Sequence, residues 1–274
     1  MKQNKKPKKK YTILKALAVL AAIVAILGAA SFPMKTVVYT VETSEVHSSV
    51  RIVQISDLHS CYYGKNMQNL INAVDEQQPD IIVLTGDIYD DEMDNKNTRT
   101  LLKYIGAKYP CYYAAGNHEF YSGHWSEYKA EAESFGITVL QGENVQYNDI
   151  TICGAAQAAD NSFDHEDSIK KCAETADGFS VLLDHFPENI DLSREYKCFD
   201  LVLSGHAHGG QWRIPFLLNG LISPGEGLFP KYAGGRYDFP DCTMIVSRGL
   251  SRENIPVPRI FNNPELVIID IKPK

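Results

Sequence analysis

Five short apolar runs constrain the fold of this chain more than any other feature of its sequence. Each run is rich in β-branched residues and is bounded by turn residues, so we predict five strands. The predicted strands are Val50–Ser56, Asp80–Thr85, Pro110–Ala115, Ser180–Asp184 and Phe199–Ser204. Near-continuous apolar strands are typical of sheets that are covered on both faces.

Helical patterns lie between several of these strands. An apolar stripe at helical spacing runs from Met67 to Val74, and two further helices are predicted at Asn97–Lys108 and Trp125–Phe135. Additional strands are predicted at Val37–Glu42, Val145–Gly154, Thr243–Arg248 and Glu265–Ile271. Strands that alternate with helices favour an α/β layered domain.

The N-terminus has the pattern of a membrane segment. Seven lysines lie within residues 1–15, and the uncharged stretch Ala16–Phe32 follows them. Counted from Ile13 across Lys15, whose side chain can snorkel, the stretch reaches the roughly 20 residues that a spanning helix needs. A cleavable signal peptide is the alternative, although its apolar region is usually only about 7–15 residues. Both interpretations place the rest of the chain outside the cytoplasm, because clustered lysines stay on the cytoplasmic side.

We therefore predict four segments and a single-pass protein of the cell membrane. They are a basic cytoplasmic tail (1–12), a transmembrane anchor (13–32), a connector with the first strand (33–48) and an extracytoplasmic main domain (49–274). The chain has 27 basic and 34 acidic residues, and seven of the basic ones lie within residues 1–15. An acidic main domain argues against a nucleic-acid partner, because neutralising phosphates needs a basic surface. Six cysteines occur without a CxxC pair, so no structural zinc cluster is indicated, and their spacing does not reveal any disulfide pairing.

Residues of metal-binding types follow each of the five predicted strands. They are Asp57, His59, Asp87, Asn117, His185, His206 and His208. Ligands of open α/β sheets bind beyond the carboxyl ends of the strands, so we expect these side chains to meet at one surface. In extended backbone the one-residue gap between Asp57 and His59, or between His206 and His208, would turn both side chains to the same side.

This set is too large for one tetrahedral ion but suits two. Mixed imidazole and carboxylate ligands favour zinc, manganese or iron over calcium, and a carboxylate can bridge two such ions. A single His after a strand is more often a structural residue, but the recurrence at five strand ends favours a metal centre. Three histidines fall outside the pattern, namely His47, His124 and His165, and we expect them at the surface.

The motifs resemble those of the calcineurin-like metallophosphoesterases, in the same order. They are Asp57-x-His59, Gly86-Asp87, Gly116-Asn117-His118-Glu119, His185 and Gly205-His206-Ala207-His208. Two further stretches, Gly209-Gly210-Gln211 and Ser247-Arg248-Gly249-Leu250, resemble a bacterial subgroup of membrane-associated phosphoesterases. The resemblance implies a four-layer αββα sandwich with two mixed central sheets.

The resemblance also implies roles for individual residues. One metal would be held by Asp57, His59, Asp87 and His208, and the other by Asp87, Asn117, His185 and His206, so that Asp87 bridges two divalent ions. His118 would protonate the leaving oxygen or stabilise the transition state, and Glu119 would position its loop. The expected activity is the hydrolysis of phosphate esters, phosphodiesters in the first place, at the outer face of the membrane.

Three other activities stay open from the sequence. They are phosphomonoester hydrolysis, hydrolysis of another bond such as an amide, and metal binding by a tethered module without turnover. The Asn117-His118 pair weighs against the amide, since by resemblance it belongs to phosphoesterases. A silent relative would be expected to have lost a ligand, and this chain has lost none.

The stretch 211–230 is unusually apolar for a loop that follows a candidate metal site. Its side chains could pack under the sheet, or they could form an apolar rim that touches lipid. In the second case Trp212 and Phe216 would contact a membrane, while Arg213, Arg248 and Arg252 would meet the phosphate of a lipid-linked substrate.

Overall fold

The computed structural model describes residues 8–29, 33–156, 164–214, 216–252 and 258–274. The helices are α1 (Lys8–Ala29), α2 (Gln68–Glu76), α3 (Lys96–Lys108), α4 (Asn117–Tyr121), α5 (Trp125–Ser134), α6 (His165–Thr175) and α7 (Ile190–Glu195). Short 3-10 turns occur at Lys65–Met67, Pro187–Asn189 and His208–Gly210.

The strands form two six-stranded sheets and one small ribbon. They are β1 (Lys35–Thr43), β2 (Val50–Ile55), β3 (Ile81–Thr85), β4 (Cys111–Ala114), β5 (Thr138–Val139), β6 (Asn144–Tyr147), β7 (Ile150–Gly154), β8 (Phe179–Leu183), β9 (Leu201–Ser204), β10 (Ile222–Ser223), β11 (Gly227–Leu228), β12 (Gly235–Asp238), β13 (Thr243–Val246) and β14 (Glu265–Pro273).

The first sheet has the strand order β1-β14-β2-β3-β4-β5, and the second has the order β12-β13-β9-β8-β7-β6. In the first, β2 to β5 are parallel and β14 is antiparallel to β2. In the second, β7, β8, β9 and β13 are parallel, while β6 and β12 are antiparallel outer strands. Both sheets are therefore mixed, as predicted.

Three apolar clusters show how the layers pack. One lies between the two sheets and joins residues such as Val83 and Val267 of the first to Val181 and Leu203 of the second. A second packs the outer face of the first sheet against α2, α3 and α5. A third packs the outer face of the second sheet against α6 and α7. The central strands are apolar on both faces because each sheet is covered on both sides.

Several predicted elements differ from the observed ones. The predicted strand Val145–Gly154 is a hairpin of β6 and β7, whose two-residue turn has Asn148 at a φ of 50°. The sequence prediction missed α4, α6 and α7, which are short or lie in polar stretches. Asp164 precedes α6 and accepts hydrogen bonds from two backbone N–H groups of its first turn, which is a capping pattern.

The N-terminal apolar stretch forms a helix, α1. Its side chains are described over 11–24, and all of them are exposed. Among the residues that the structure describes, no helix is long and apolar enough to cross a membrane. The predicted transmembrane helix at 13–32 is therefore not supported by the structure, and residues 30–32 lie outside the described part.

Candidate metal centre

The predicted ligands all lie where strands of the two facing sheets end. Asp57 and Asp87 follow β2 and β3 of the first sheet, and Asn117 begins α4 just after β4. His185, His206 and His208 follow β8 and β9 of the second sheet. Because these strands are parallel within each sheet, their carboxyl ends meet at one edge of the sandwich. All seven predicted ligands are buried.

The backbone turns sharply at most of these residues. Five of them adopt a positive φ, which non-glycine residues rarely do; they are Asp57, His59, Asp87, His206 and His208. The expectation of an extended two-residue step was therefore wrong. The left-handed turns bring Asp57 and His59 into one group but separate His206 from His208.

Three groups of side chains have ligand atoms close enough to hold a metal ion, and one of them is His59, Asp90 and His118. The other two share a carboxylate: the first contains Asp57, His59, Asp87 and His208, and the second contains Asp87, His185 and His206. Asp87 belongs to both, and its Oδ2 lies 3.6 Å from Nε2 of His59 and 3.1 Å from Nε2 of His185. Apart from Asn117, the two groups that share Asp87 coincide with the two ligand sets that the resemblance implies.

Oδ1 of Asn117 is a buried oxygen atom of the site without a hydrogen-bond partner. Oδ2 of Asp87 is also buried and faces Nε2 of both His59 and His185. A buried acceptor without a partner costs about 1–3 kcal/mol, which a bound cation would offset. Because carboxylate, amide and imidazole ligands together suit first-row divalent metals, the residues fit two such ions.

The pKa shifts of two histidines of the site favour metal binding, and that of a third opposes it. Burial, helped by the nearby His185, lowers the pKa of His206 to about 3. Burial and the neighbouring His59 lower the pKa of His208 well below its usual value, so both imidazoles are neutral at pH 7. Burial opposes protonation of His185 as well, but the adjacent Asp87 carboxylate outweighs it and raises the pKa of His185 to about 10. A metal must therefore displace a proton from His185.

Comparisons with known proteins agree with this geometry. The family model of the calcineurin-like phosphoesterases matches residues 50–210. This chain belongs to that family. It is a metal-dependent phosphoesterase, and hence a hydrolase.

Two relatives and one solved structure illustrate the likeness. An uncharacterized metallophosphoesterase of Campylobacter jejuni is 33% identical over 245 residues, which are 85% of this chain and 62% of the relative. A zebrafish protein named transmembrane protein with metallophosphoesterase domain (Danio rerio) is 26% identical over 93% of this chain and 61% of its own length. The chain thus spans about three-fifths of both relatives. The crystal structure of TT1561 of Thermus thermophilus, at 12% identity, covers 75% of this chain and 92% of its own with a TM-score of 0.52, which supports the fold alone.

Two histidines of the phosphoesterase are oriented through Nδ1 by residues outside the predicted ligand set. Nδ1 of His59 lies 2.9 Å from Oδ2 of Asp90, and Nδ1 of His208 lies 3.1 Å from Oγ of Ser251. Such contacts leave Nε2 to face a metal. Sequence analysis missed both partners. Asp90 lies in the polar stretch between β3 and α3, and Ser251 comes from a distant segment after β13.

The predicted catalytic residue, His118, lies at the edge of the centre. Its side chain is about one-third exposed, and its ring centroid is 4.5 Å from that of His59. Its Nδ1 lies 2.5 Å from Oδ1 of Asp91, and its backbone N–H donates to Oδ1 of Asp87. His118 is therefore held beside both groups and is still reachable from solvent.

Glu119 positions the loop that carries Asp87. Its buried carboxylate accepts hydrogen bonds from the backbone N–H groups of Asp87, Ile88, Tyr89 and Gly116, and from the hydroxyl of Tyr113. This is the structural role expected from the sequence.

Two glycines of the motifs are required by close packing. A Cβ at Gly86 would lie 2.4 Å from Nδ1 of His185, and one at Gly116 would lie 2.3 Å from Oδ1 of Asp87. Gly86 also has a φ of 83°. Both positions admit only glycine, because a side chain there would displace the ligands themselves.

Of the three histidines predicted at the surface, His165 is not there. It is buried, and its Nε2 lies 3.0 Å from Oδ1 of Asp184, the residue before His185. His47 and His124 are exposed, as expected. Local sequence does not predict this contact, because its partners are nineteen positions apart in the chain.

The predicted substrate residues lie in the segments that follow β9 and β13. Phe216 is fully exposed and Trp212 is 40% exposed, with its indole N–H donating to the carbonyl of Pro258. Arg213 and Arg248 line one cavity, described below. Arg252 lies over the ring of Tyr63 and donates to the carbonyl of Tyr62.

Proposed function

We propose that this phosphoesterase hydrolyses phosphate esters, phosphodiesters in the first place, with two divalent ions at the centre just described. The observation that carries the proposal is the position of Asp87, whose carboxylate belongs to both groups of ligand atoms. A carboxylate shared in this way suits a pair of ions a few ångströms apart.

The residues around the centre suggest separate tasks. When bound, two divalent ions would neutralise the phosphate oxygens. Asp91 holds Nδ1 of His118, so Nε2 is the atom that we expect to carry a proton to the leaving oxygen. Asp90 and Ser251 fix the rings of His59 and His208 in the orientation that a ligand needs.

We also propose that the enzyme is tethered at the outer face of the cytoplasmic membrane. Two observations support the tether. The side chains described in α1 are exposed and almost all apolar, and seven lysines lie within residues 1–15. A relative from zebrafish carries the word transmembrane in its name. A lipid-linked phosphoester is then the substrate class we propose, because Phe216 and Trp212 present apolar surface to solvent.

The test of activity uses the full chain in a neutral detergent, first stripped of metal and then loaded with manganese, zinc or iron. We expect hydrolysis of bis(p-nitrophenyl) phosphate to appear on loading, and to exceed hydrolysis of p-nitrophenyl phosphate. Faster hydrolysis of the monoester would make the protein a phosphomonoesterase. Stoichiometric metal binding without hydrolysis of either compound would favour the silent binding module.

A further inference from the structure

A cavity of about 450 Å³ opens beside the turn that carries His208. Its walls combine two arginines with apolar side chains, among them Arg213, Arg248, Phe216, Leu217, Leu218 and Phe261. Nη1 of Arg213 donates to the carbonyl of Gly209, and Asn262, which follows Phe261, donates to the carbonyl of His208. The cavity and the metal centre therefore share the backbone of one turn.

The two arginines of the cavity carry more positive charge than the carboxylates paired with them neutralise. Arg248 pairs with the buried carboxylate of Glu265, with Nε 2.6 Å and Nη2 2.5 Å from Oε2. Arg213 donates to neutral groups, the carbonyl of Gly209 and the side-chain oxygen of Asn219. Within the described ranges no carboxylate forms an ion pair with Arg213. Two guanidinium groups thus share one carboxylate, and burial together with Arg248 lowers the pKa of Arg213.

The mouth of the cavity is apolar and exposed. Phe216 is fully exposed, and Leu217, which follows it in the chain, is 84% exposed. Large apolar side chains that are exposed together mark a surface that meets a membrane or a partner. Two arginines beside exposed apolar side chains suit a ligand that joins an anionic group to an apolar chain.

The segment after α1 is hydrogen-bonded to the chain next to the cavity. The carbonyl of Pro33 accepts a hydrogen bond from Asn263, and the N–H of Lys35 donates to the carbonyl of Pro264. These partners, Asn263 and Pro264, come two and three residues after the cavity residue Phe261. The end of α1 at Ala29 is four residues from Pro33, so the chain can separate them by about 15 Å at most. A membrane that holds α1 would lie close to the cavity.

We propose that this cavity binds the phosphate of an anionic lipid head group, with Arg213 and Arg248 on the phosphate oxygens and the acyl chain leaving along Phe216 and Leu217. The inference rests on the proposed membrane location, and it deepens the proposed function by naming a second contact for a lipid substrate. A guanidinium group presents its N–H donors in a planar fork that matches phosphate oxygens.

The test measures contact between lipid and Trp212, the neighbour of Arg213. The full chain is placed in neutral detergent micelles after removal of metal, so that the metal centre does not hold phosphate. Dibrominated phosphatidic acid or dibrominated phosphatidylcholine is then titrated, and quenching of tryptophan fluorescence is recorded. We expect phosphatidic acid to quench at a mole fraction at least about tenfold lower than the one phosphatidylcholine needs. Trp212→Phe should remove the signal, since the other tryptophan, Trp125, is buried.

Variants separate the two parts of the site. Arg213→Gln should abolish the preference for phosphatidic acid, and Arg213→Lys should retain part of it because the charge stays while the fork is lost. Lys231→Gln is the matched control, since it removes an exposed positive charge of the same loop outside the cavity, and it should leave quenching unchanged. Phe216→Ser alters a fully exposed side chain, so it threatens folding least, and it should weaken quenching by phosphatidic acid severalfold.

Three results would overturn the inference. They are equal quenching by both lipids, an unchanged preference in Arg213→Gln, and full displacement of phosphatidic acid by equimolar inorganic phosphate, which would indicate a site for free phosphate. A different result would show that the proposed hydrolase function is wrong. If the metal-loaded chain does not hydrolyse bis(p-nitrophenyl) phosphate but the lipid preference and its loss in Arg213→Gln hold, the cavity stands and the hydrolase proposal falls.

Discussion

At the scale of single residues, the metal centre depends on backbone conformations that non-glycine residues rarely adopt. Asp87 has a φ of 53°, and His206 has a φ of 62°. Such conformations cost of order 1–3 kcal/mol each and persist only where the surroundings hold them. At Asp87 the carboxylate of Glu119 does so by accepting the N–H groups of three successive residues. These hydrogen bonds therefore hold the strained backbone of Asp87 in the conformation that presents its carboxylate to the other ligands.

Asp87→Asn should remove most of the bound metal and reduce turnover by more than about 100-fold. The amide keeps an oxygen for the N–H of His118, but its NH₂ group cannot replace Oδ2, which faces both His59 and His185. Metal content per chain after gel filtration and kcat measure the two effects. Asp241→Asn, an exposed carboxylate paired with Arg194, is the control and should change neither. Two metals per chain with a normal rate would refute the shared ligand.

His118→Ala should separate chemistry from metal binding. We expect both metals to remain, while kcat falls by roughly 10²–10⁴-fold for esters with poor leaving groups. Activated leaving groups need less protonation, so their hydrolysis should fall less. Asp91→Asn keeps the imidazole and should produce a smaller decrease than His118→Ala. An equal loss for both kinds of leaving group would argue against proton donation.

At the scale of elements, β2 and β14 are joined by an ion pair whose contribution depends on pH. Arg51 contacts Asp270 through Nε at 2.7 Å and Nη2 at 3.0 Å. The hydrogen bonds from Arg51 lower the pKa of Asp270. A carboxyl group whose pKa is lowered by folding stabilises the fold above its unfolded pKa, near 3.9, and loses that stabilisation as pH falls through the lower folded value.

Asp270→Asn should therefore lower the free energy of unfolding by about 1 kcal/mol at pH 7, a value reduced by the partial exposure of Arg51. The difference from the unaltered chain should be the same at pH 7 and pH 5, and it should shrink below about pH 4. Urea unfolding at each pH measures it. Asp177→Asn, whose carboxylate forms no ion pair in the described part of the chain, should show no such trend. A difference that grows on acidification would contradict the assignment.

The apolar loop shows where an element could not be predicted. From sequence, residues 211–230 suit either a buried segment or an exposed rim. The structure exposes Phe216 and Leu217 but buries Gln211 and Gly220. Arg213 and Arg248 meet only through tertiary packing, because 34 residues separate them and β12 and β13 lie between.

At the scale of the whole molecule, the ligand set was predictable because each member stands within a few residues of a strand end. Local sequence fixes that distance, and parallel pairing brings the ends together. Asp90, Asp91 and Ser251 were not predictable in the same way. Each contacts an imidazole that belongs to another segment of the chain. In a sequence, acidic residues in a run or a single serine are usually solvent-facing, so neither pattern predicts such a contact. The hairpin turn at Asn148-Asp149 carried a weaker signal, since asparagine tolerates the positive φ that Asn148 adopts.

The topology of the whole chain is the last prediction. Positive charge stays on the cytoplasmic side of a membrane segment, and seven lysines precede the apolar stretch whereas Lys35 follows it. Protease added to intact spheroplasts should therefore digest the main domain and leave a cytoplasmic marker protein intact. Replacing Lys2, Lys5, Lys6, Lys8, Lys9 and Lys10 by Gln should reduce the digested fraction, because the charge difference that orients the segment is lost. Lysed spheroplasts show that the protease can cut the domain at all. Full protection in intact cells, with digestion after lysis, would place the domain inside and remove the proposed outer-face location.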